Sequence, residues 1–207
     1  MTWFDWFRYG IAWLLVVFGP GSVLFWFAIH PFAAFWRRVG RTWAYVAGFG
    51  VFGVSAVALA MAADTLLVVD FGASVVTAVL GVAVLVPAAL LRRRWRRHLS
   101  WRTLFGAPEL SADGHGGTLL TDGIYGHVRH PRYLEIVLGY LGYSLIANHL
   151  AAYVVTAFMI VAIAVLIPLE ERELAARFGE PYEAYRRRVP AVLPRPARRE
   201  QMIGPAR

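Results

Sequence analysis

The residues able to do chemistry fall in two stretches of this sequence. One is 116–133, reading Gly-Gly-Thr-Leu-Leu-Thr-Asp-Gly-Ile-Tyr-Gly-His-Val-Arg-His-Pro-Arg-Tyr, with two histidines, two arginines and two tyrosines among glycines and a proline. The other is the pair Glu170-Glu171, placed after Pro168 at the inner end of a long apolar run. An acidic pair there adds mutual repulsion to the desolvation of each carboxylate, which at a membrane centre costs about 2.5–3.5 kcal/mol per charge. Something must offset that. Two readings stay open: a carboxylate that binds hydroxyls or an ammonium group, or an ion pair with Arg172, Arg129 or Arg132.

His127 and His130 stand three apart, with His115 upstream, which raises the question of metal. Pro131 interrupts any helix after His130, and no acidic residue completes a ligand set at helical spacing, so no metal is expected. Cysteine is absent, which excludes disulfides, thiolate catalysis and cysteine–metal sites. Lysine is absent too, all 21 cations being arginine, and Schiff-base chemistry goes with it.

The elements that position these stretches are apolar. Of 207 residues 58% are apolar and 16% charged, with mean hydropathy +0.53. That supplies five or six spans of roughly 20 residues. A soluble domain is normally about one-quarter charged, so a soluble enzyme and a disordered tail are both excluded. The pI of 10.4 does not point to nucleic acid, which needs a basic face on a water-soluble domain. The expected fold is an all-α integral membrane bundle of about five transmembrane helices.

The predicted spans run from about Phe7 to Ile29, Trp43 to Ala63, Phe71 to Leu91, Tyr133 to Ala147 and Ala151 to Leu169. Gly19-Pro20-Gly21 should kink or break the first. Gly48, Gly50, Gly53 and Ser55 give the second a small-residue packing surface, and Gly139 and Gly142 share a face of the fourth. One membrane domain is expected over 1–207, with three spans in 1–98. The half 99–207 carries two spans, both chemical stretches and a cytoplasmic C-terminal helix. The N-terminal apolar stretch reads as a retained span.

Arginine placement orients the bundle. Arg37, Arg38 and Arg41 follow the first span, and Arg92, Arg93, Arg94, Arg96, Arg97 and Arg102 follow the third. Nine more follow the fifth, while the loops Asp64 to Asp70 and Asn148 to His149 have none. The positive-inside rule then places the N-terminus outside and the C-terminus in the cytoplasm, with both chemical stretches on the cytoplasmic side. The run Arg92–Arg97 reads as a stop-transfer anchor at the headgroups, with an anionic-lipid site as the alternative. Trp3, Trp6, Trp26, Trp36, Trp43, Trp95 and Trp101 read mostly as an interfacial belt. Arginine and alanine richness suggest a GC-rich prokaryote, hence the inner (cytoplasmic) membrane.

Two ordered blocks carry a resemblance. Leu119-Leu120-Thr121-Asp122-Gly123-Ile124-Tyr125 with Arg129-His130-Pro131-Arg132-Tyr133 resembles the signature of the isoprenylcysteine carboxyl methyltransferase and phospholipid methyltransferase superfamily. Glu170-Glu171, Leu174, Phe178-Gly179, Tyr182, Tyr185, Arg188-Val189-Pro190 and Leu193-Pro194 resembles its C-terminal block. The resemblance covers about 117–194, and spans one to three carry no comparable signature.

It implies an S-adenosylmethionine-dependent membrane methyltransferase. The pocket residues it implies are Gly117, Thr118, Leu119, Leu120, Tyr125, His130, Pro131, Arg132, Tyr133 and Glu170. Glu170 would accept from an ammonium or ribose diol, tyrosine faces would favour the sulfonium, and His130 would bond a carboxylate or adenine. In-line methyl transfer demands no base when the nucleophile is an anion or free amine, so no catalytic residue is assigned. The implied acceptor is lipophilic: a phospholipid amine, an isoprenoid-linked group or a small hydrophobic thiol. Membrane lipids are expected partners and nucleic acid is not; the oligomeric state is open.

Two positions depart from the family. Carboxyl methyltransferases carry arginine a turn before the glutamates, where this chain has Leu166, and often after Val-Pro, where it has Ala191. Arg129 is the candidate substitute. Two other readings are an NADPH-dependent membrane reductase of related fold and a non-catalytic membrane module.

Overall fold

The computed structural model describes residues 2–97, 110 and 117–193. Among them the elements are α1 (Trp3–Ile29), a 3-10 turn (His30–Phe32), α2 (Ala33–Val39), α3 (Arg41–Met61), α4 (Ala63–Leu66) and α5 (Val75–Trp95). A second 3-10 turn (Gly123–Gly126) then precedes α6 (Pro131–Ala147), α7 (Leu150–Phe178) and α8 (Glu180–Arg188). The expected all-helical bundle is present. Trp101, Arg102, His115 and the last arginines lie outside the described residues.

α1 is capped by Thr2, whose hydroxyl accepts from the Asp5 N–H while the Asp5 carboxylate accepts from the Thr2 N–H at 2.7 Å. The helix runs through Gly19-Pro20-Gly21 without a break, so of the expected kink or break the second does not occur. Pro20 removes one helical donor, but the glycines are there for packing. A Cβ on Gly19 would lie 2.9 Å from Tyr140 Oη, and one on Gly21 would lie 2.5 Å from Ser55 Oγ. Sequence local to α1 is therefore set by its neighbours α3 and α6.

α1 is the central post, packing against α3, α6 and α7, while α5 packs chiefly along α6. The main apolar core joins Ala12, Val16 and Val23 of α1 to Met159, Ile163 and Leu166 of α7. α5 and α6 cross at glycines: a Cβ on Gly81 would meet the Gly142 carbonyl at 2.6 Å, and one on Gly142 would meet Leu85 at 2.7 Å. Of the small residues expected to pack, Gly48 sits against Phe25, whereas Gly50, Gly53 and Gly139 face open space. The outward faces of α3 and α5, with Val54, Val57, Val76 and Val79, remain exposed and apolar, as lipid-facing surfaces are.

Four helical segments are long and apolar enough to cross a membrane: Trp3–Val39, Arg41–Met61, Val75–Trp95 and Leu150–Phe178. The chain is an integral membrane protein. The remaining expected span, α6, has 17 residues. At 1.5 Å per residue that is about 26 Å, a little short of a hydrocarbon core of about 30 Å. It also carries Glu135, buried and bonded to Arg92 Nε at 2.9 Å.

The α6–α7 hairpin turns on Asn148, whose left-handed φ of 53° caps α6, and whose Nδ2 donates to the Gly72 carbonyl at 2.9 Å. Ser144 and Thr156 hydroxyls, 2.6 Å apart, tie the two helices together. α7 does not stop at Leu169, as the sequence suggested, but passes Pro168 and continues to Phe178 before Gly179 (φ 60°) ends it. Glu170 and Glu171 thus sit on an unbroken helix.

Candidate functional site

Adjacent residues on a helix point about 100° apart, and this separates the two carboxylates. Glu171 turns toward the Arg129-His130 turn. Its Oε1 accepts from Arg129 Nε at 3.0 Å and Nη2, and from His130 Nε2 at 3.1 Å, while Oε2 is 3.5 Å from Arg186 Nε. Arg129 also donates to the carbonyls of Arg186, at 3.0 Å, and Val189. The ion-pair reading therefore holds for Glu171. Arg129 thus has Nε, Nη1 and Nη2 all engaged in this hub.

Glu170 points elsewhere, into a cavity of about 150 Å³. Thr118, Leu119 and Leu120 form one wall, the Tyr125 turn and 129–133 another, and α7 with α8 a third. Of the expected residues, Thr118, Leu119, Leu120, Tyr125, His130, Pro131, Arg132, Tyr133 and Glu170 are brought together on this cavity. Gly117 precedes that wall with φ 87°, but does not line it.

Backbone pairing holds the walls in register. Arg129 N–H donates to the Pro190 carbonyl at 2.9 Å and His130 N–H to the Ala191 carbonyl at 2.8 Å. Position 191 thus contributes its carbonyl, and the small side chain there removes nothing from the contact. Tyr185 Oη donates to the Tyr125 carbonyl at 2.7 Å, locking α8 to the turn. Leu166, at the other departure, is fully buried in the apolar core.

Several cavity residues escaped the sequence reading as site residues. Leu174, Arg177 and Phe178 follow Glu170 at helical intervals of four, seven and eight, so the 3.6-residue period would have found them had α7 been extended. Tyr182 and Tyr185 share a face of α8. Trp26 and His30 come from the end of α1, where no motif marked them. Trp26 is a cavity residue, not part of an interfacial belt: its ring stacks on His30 at 5.1 Å, and the Arg132 guanidinium lies 5.6 Å from its centroid. Trp95 likewise is buried.

Polar chemistry on the walls is unevenly satisfied. Glu170 Oε2, His30 Nδ1 and Tyr182 Oη are buried with no hydrogen-bond partner among the described residues. Burial pushes the Tyr125 phenol far above its ordinary range, with the Glu170 charge adding to it. Tyr182 behaves likewise beside Glu171, and burial raises Tyr185 to about 12. All three are neutral phenols near pH 7. His127 is exposed, its Nδ1 3.1 Å from the Gly123 carbonyl, and no group of three metal-ligating side chains converges among the described residues.

A cavity-centred site on a membrane helical hairpin, built from an Arg-His-Pro turn and a glutamate helix, defines a class. The phospholipid methyltransferase family profile matches residues 76–181, just over half of the chain. The chain belongs to that family. Among curated relatives, it is 36% identical over 77 residues to protein-S-isoprenylcysteine O-methyltransferase of Schizosaccharomyces pombe, covering 37% of this chain and 33% of that protein. It is 40% identical over 82 residues to methanethiol S-methyltransferase 2 of Bradyrhizobium diazoefficiens, covering 39% and 30%. It is 42% identical over 82 residues to cobalt-zinc-cadmium resistance protein CzcN of Cupriavidus metallidurans, covering 38% and 36%. The chain thus spans about a third of the length of these relatives. No solved structure matches it.

Proposed function

We propose that this protein is an S-adenosylmethionine-dependent methyltransferase acting on a lipophilic acceptor, with its site facing the cytoplasm. The observation that carries the reading is the set of unpartnered buried polar atoms on the cavity. A buried acceptor without a donor costs about 1–3 kcal/mol, so such atoms mark a place where a ligand belongs. Family membership and the printed activities of the relatives support it. The cytoplasmic side is supported by the arginines at the ends of α2 and α5, which share the cavity's end of the bundle.

The wall chemistry fits the cofactor. Glu170 Oε2 offers an anionic acceptor to an ammonium or a ribose diol. The ring faces of Trp26, Tyr125 and Tyr133 favour a cation. His130, oriented by Glu171, can bond a carboxylate or adenine edge, with Thr118–Leu120 supplying the opposite wall. When bound, S-adenosylmethionine supplies an electrophilic methyl group on a sulfonium sulfur. The residues bind and align; alignment alone can contribute about 7–11 kcal/mol of the barrier. The apolar helix faces give a hydrophobic acceptor a route along the membrane plane while the polar cofactor arrives from water.

Membranes carrying the overexpressed protein, incubated with methyl-labelled S-adenosylmethionine and then extracted, should yield a labelled lipophilic product by mass spectrometry. Purified protein should bind S-adenosylhomocysteine by calorimetry. No binding, or a thermal-shift preference for NADPH, overturns the reading.

A further inference from the structure

His30 lies outside the segment that matches the family profile, yet it stands on the cavity wall, 6% exposed. It begins the turn that follows α1, and Trp26, one helical turn earlier, fixes its ring by stacking at 5.1 Å with 21° between planes. Its Nδ1 is buried without a hydrogen-bond partner among the described residues. A histidine kept only for packing has its ring nitrogens satisfied; this one presents a nitrogen with nothing to bond. The charged and titratable groups around the same cavity are Arg129, His130, Arg132 and Tyr133 of the turn and α6, Glu170 and Arg177 of α7, Tyr182 and Tyr185 of α8, and Tyr125 of the second 3-10 turn. Arg177 is engaged by Glu173 at 3.7 Å and Arg132 lies over Trp26. α7 offers no cation between Leu150 and Glu170, and Arg129 is held by Glu171 and two carbonyls. The cavity is thus provided with a proton acceptor, but not with an uncommitted cation for a carboxylate.

We infer that His30 takes the proton from the methyl acceptor, and that this acceptor is a protic nucleophile, a thiol or an ammonium, and not a carboxylate. The inference rests on the proposed methyltransferase reading. In the thiol case the S–H bond breaks as the imidazole nitrogen takes the proton, and the sulfur lone pair forms the new S–CH3 bond. The bond between the methyl carbon and the sulfonium breaks with its electron pair going to that sulfur. The products are a methyl thioether, neutral S-adenosylhomocysteine and an imidazolium that returns its proton to water. An ammonium acceptor loses its proton to His30 before its nitrogen attacks in the same way. Carboxylates carry no such proton, and His30 would have no work.

The test uses the full chain in detergent with methyl-labelled S-adenosylmethionine and three acceptors of equal chain length: decanethiol, decylamine and decanoate. Label should pass to the thiol or the amine and not to decanoate. His30→Gln should lower that transfer about 10²–10⁴-fold, the range for losing a positioned base. S-adenosylhomocysteine affinity by calorimetry should stay within about threefold, under 1 kcal/mol. The wild-type rate should level off with pH before the acceptor's own ionisation, and the variant's should keep rising with hydroxide. If His30→Gln does not fold, His30→Asn and the wild-type pH profile decide. Decanoate as the preferred acceptor, an unchanged rate and pH profile in the variant, or transfer to none of the three while S-adenosylhomocysteine binds, each overturns the inference alone. Failure of the wild type to bind S-adenosylhomocysteine overturns the methyltransferase reading with it.

Discussion

The bundle has a polar cluster at each end, and the two are built to opposite plans. At the end away from the cavity, Arg8 of α1 is 0% exposed. It pairs with Asp70 through Nη2 and with Asp5 at 3.5 Å, and His149 Nδ1 lies 3.8 Å from the same Asp70. Asp70 also accepts from the Gly72 N–H at 2.9 Å, and its chain pairs with His149 in a single antiparallel bridge. There the carboxylates close on the guanidinium, although Arg8 Nε keeps no hydrogen-bond partner among the described residues. At the cavity end, Glu171 closes on Arg129, His130 and Arg186, but Glu170 one residue earlier leaves Oε2 without a hydrogen bond, with His130 Nδ1 at 3.9 Å. A buried ion cluster whose charges are matched holds elements together; a carboxylate that faces a void is placed to hold something else.

The contrast can be broken by substitution. The largest effect is expected for Glu171→Ala, which strands Arg129 in a buried setting. It should cost about 3–5 kcal/mol of stability and abolish cofactor binding with it, read by thermal shift and calorimetry. Asp70→Ala strands Arg8, but Asp70 is 41% exposed and Asp5 remains. The loss should fall at the lower end of the same range, about 3 kcal/mol, with S-adenosylhomocysteine affinity unmoved. An affinity loss there would mean the two ends are not independent.

Glu170→Gln should do the reverse. Glu170 Oε2 makes no hydrogen bond and has His130 Nδ1 only at 3.9 Å, so the melting temperature should move little, while affinity falls about 10–150-fold, the worth of one charged hydrogen bond at about 1.5–3 kcal/mol. The smallest effect is in pH. Burial alone would raise the Asp70 carboxyl, but bonds from Arg8 and Gly72 and the His149 charge hold it below its ordinary value. Its contribution is then full above the unfolded pKa of about 4 and is lost as pH falls through the lower folded value. Because Asp70 is partly exposed, that loss should stay under about 1 kcal/mol in acid melts, and Asp70→Asn should remove it.

Hydropathy made the helices legible, because a span must be continuously apolar whatever its neighbours are. Ends were less so. The expected fifth span closed at about Leu169, yet α7 runs nine residues beyond it to Phe178, since packing against α8 supports the extension. Nine of the ten residues that the resemblance implied for a pocket line the cavity, because each lies in a local turn or on one helix face. Trp26 and His30 were illegible for a different reason: they reach the cavity by tertiary packing of α1, and nothing local distinguishes them from an interfacial tryptophan and a span-end histidine. The acidic pair could not be divided from sequence either. Only the rotation of α7 decides which carboxylate meets Arg129.

The backbone bonds from Arg129 and His130 to the Pro190 and Ala191 carbonyls also order events in time. A ribosome that has released the chain through Phe178 has delivered every apolar helix to the membrane, and the bundle can already assemble. The turn bearing His130 then has no partner for its N–H groups, and the wall made by Tyr182 and Tyr185 does not yet exist. The cavity is therefore finished last, from the water side. An immature chain is a membrane protein before it is a binding protein.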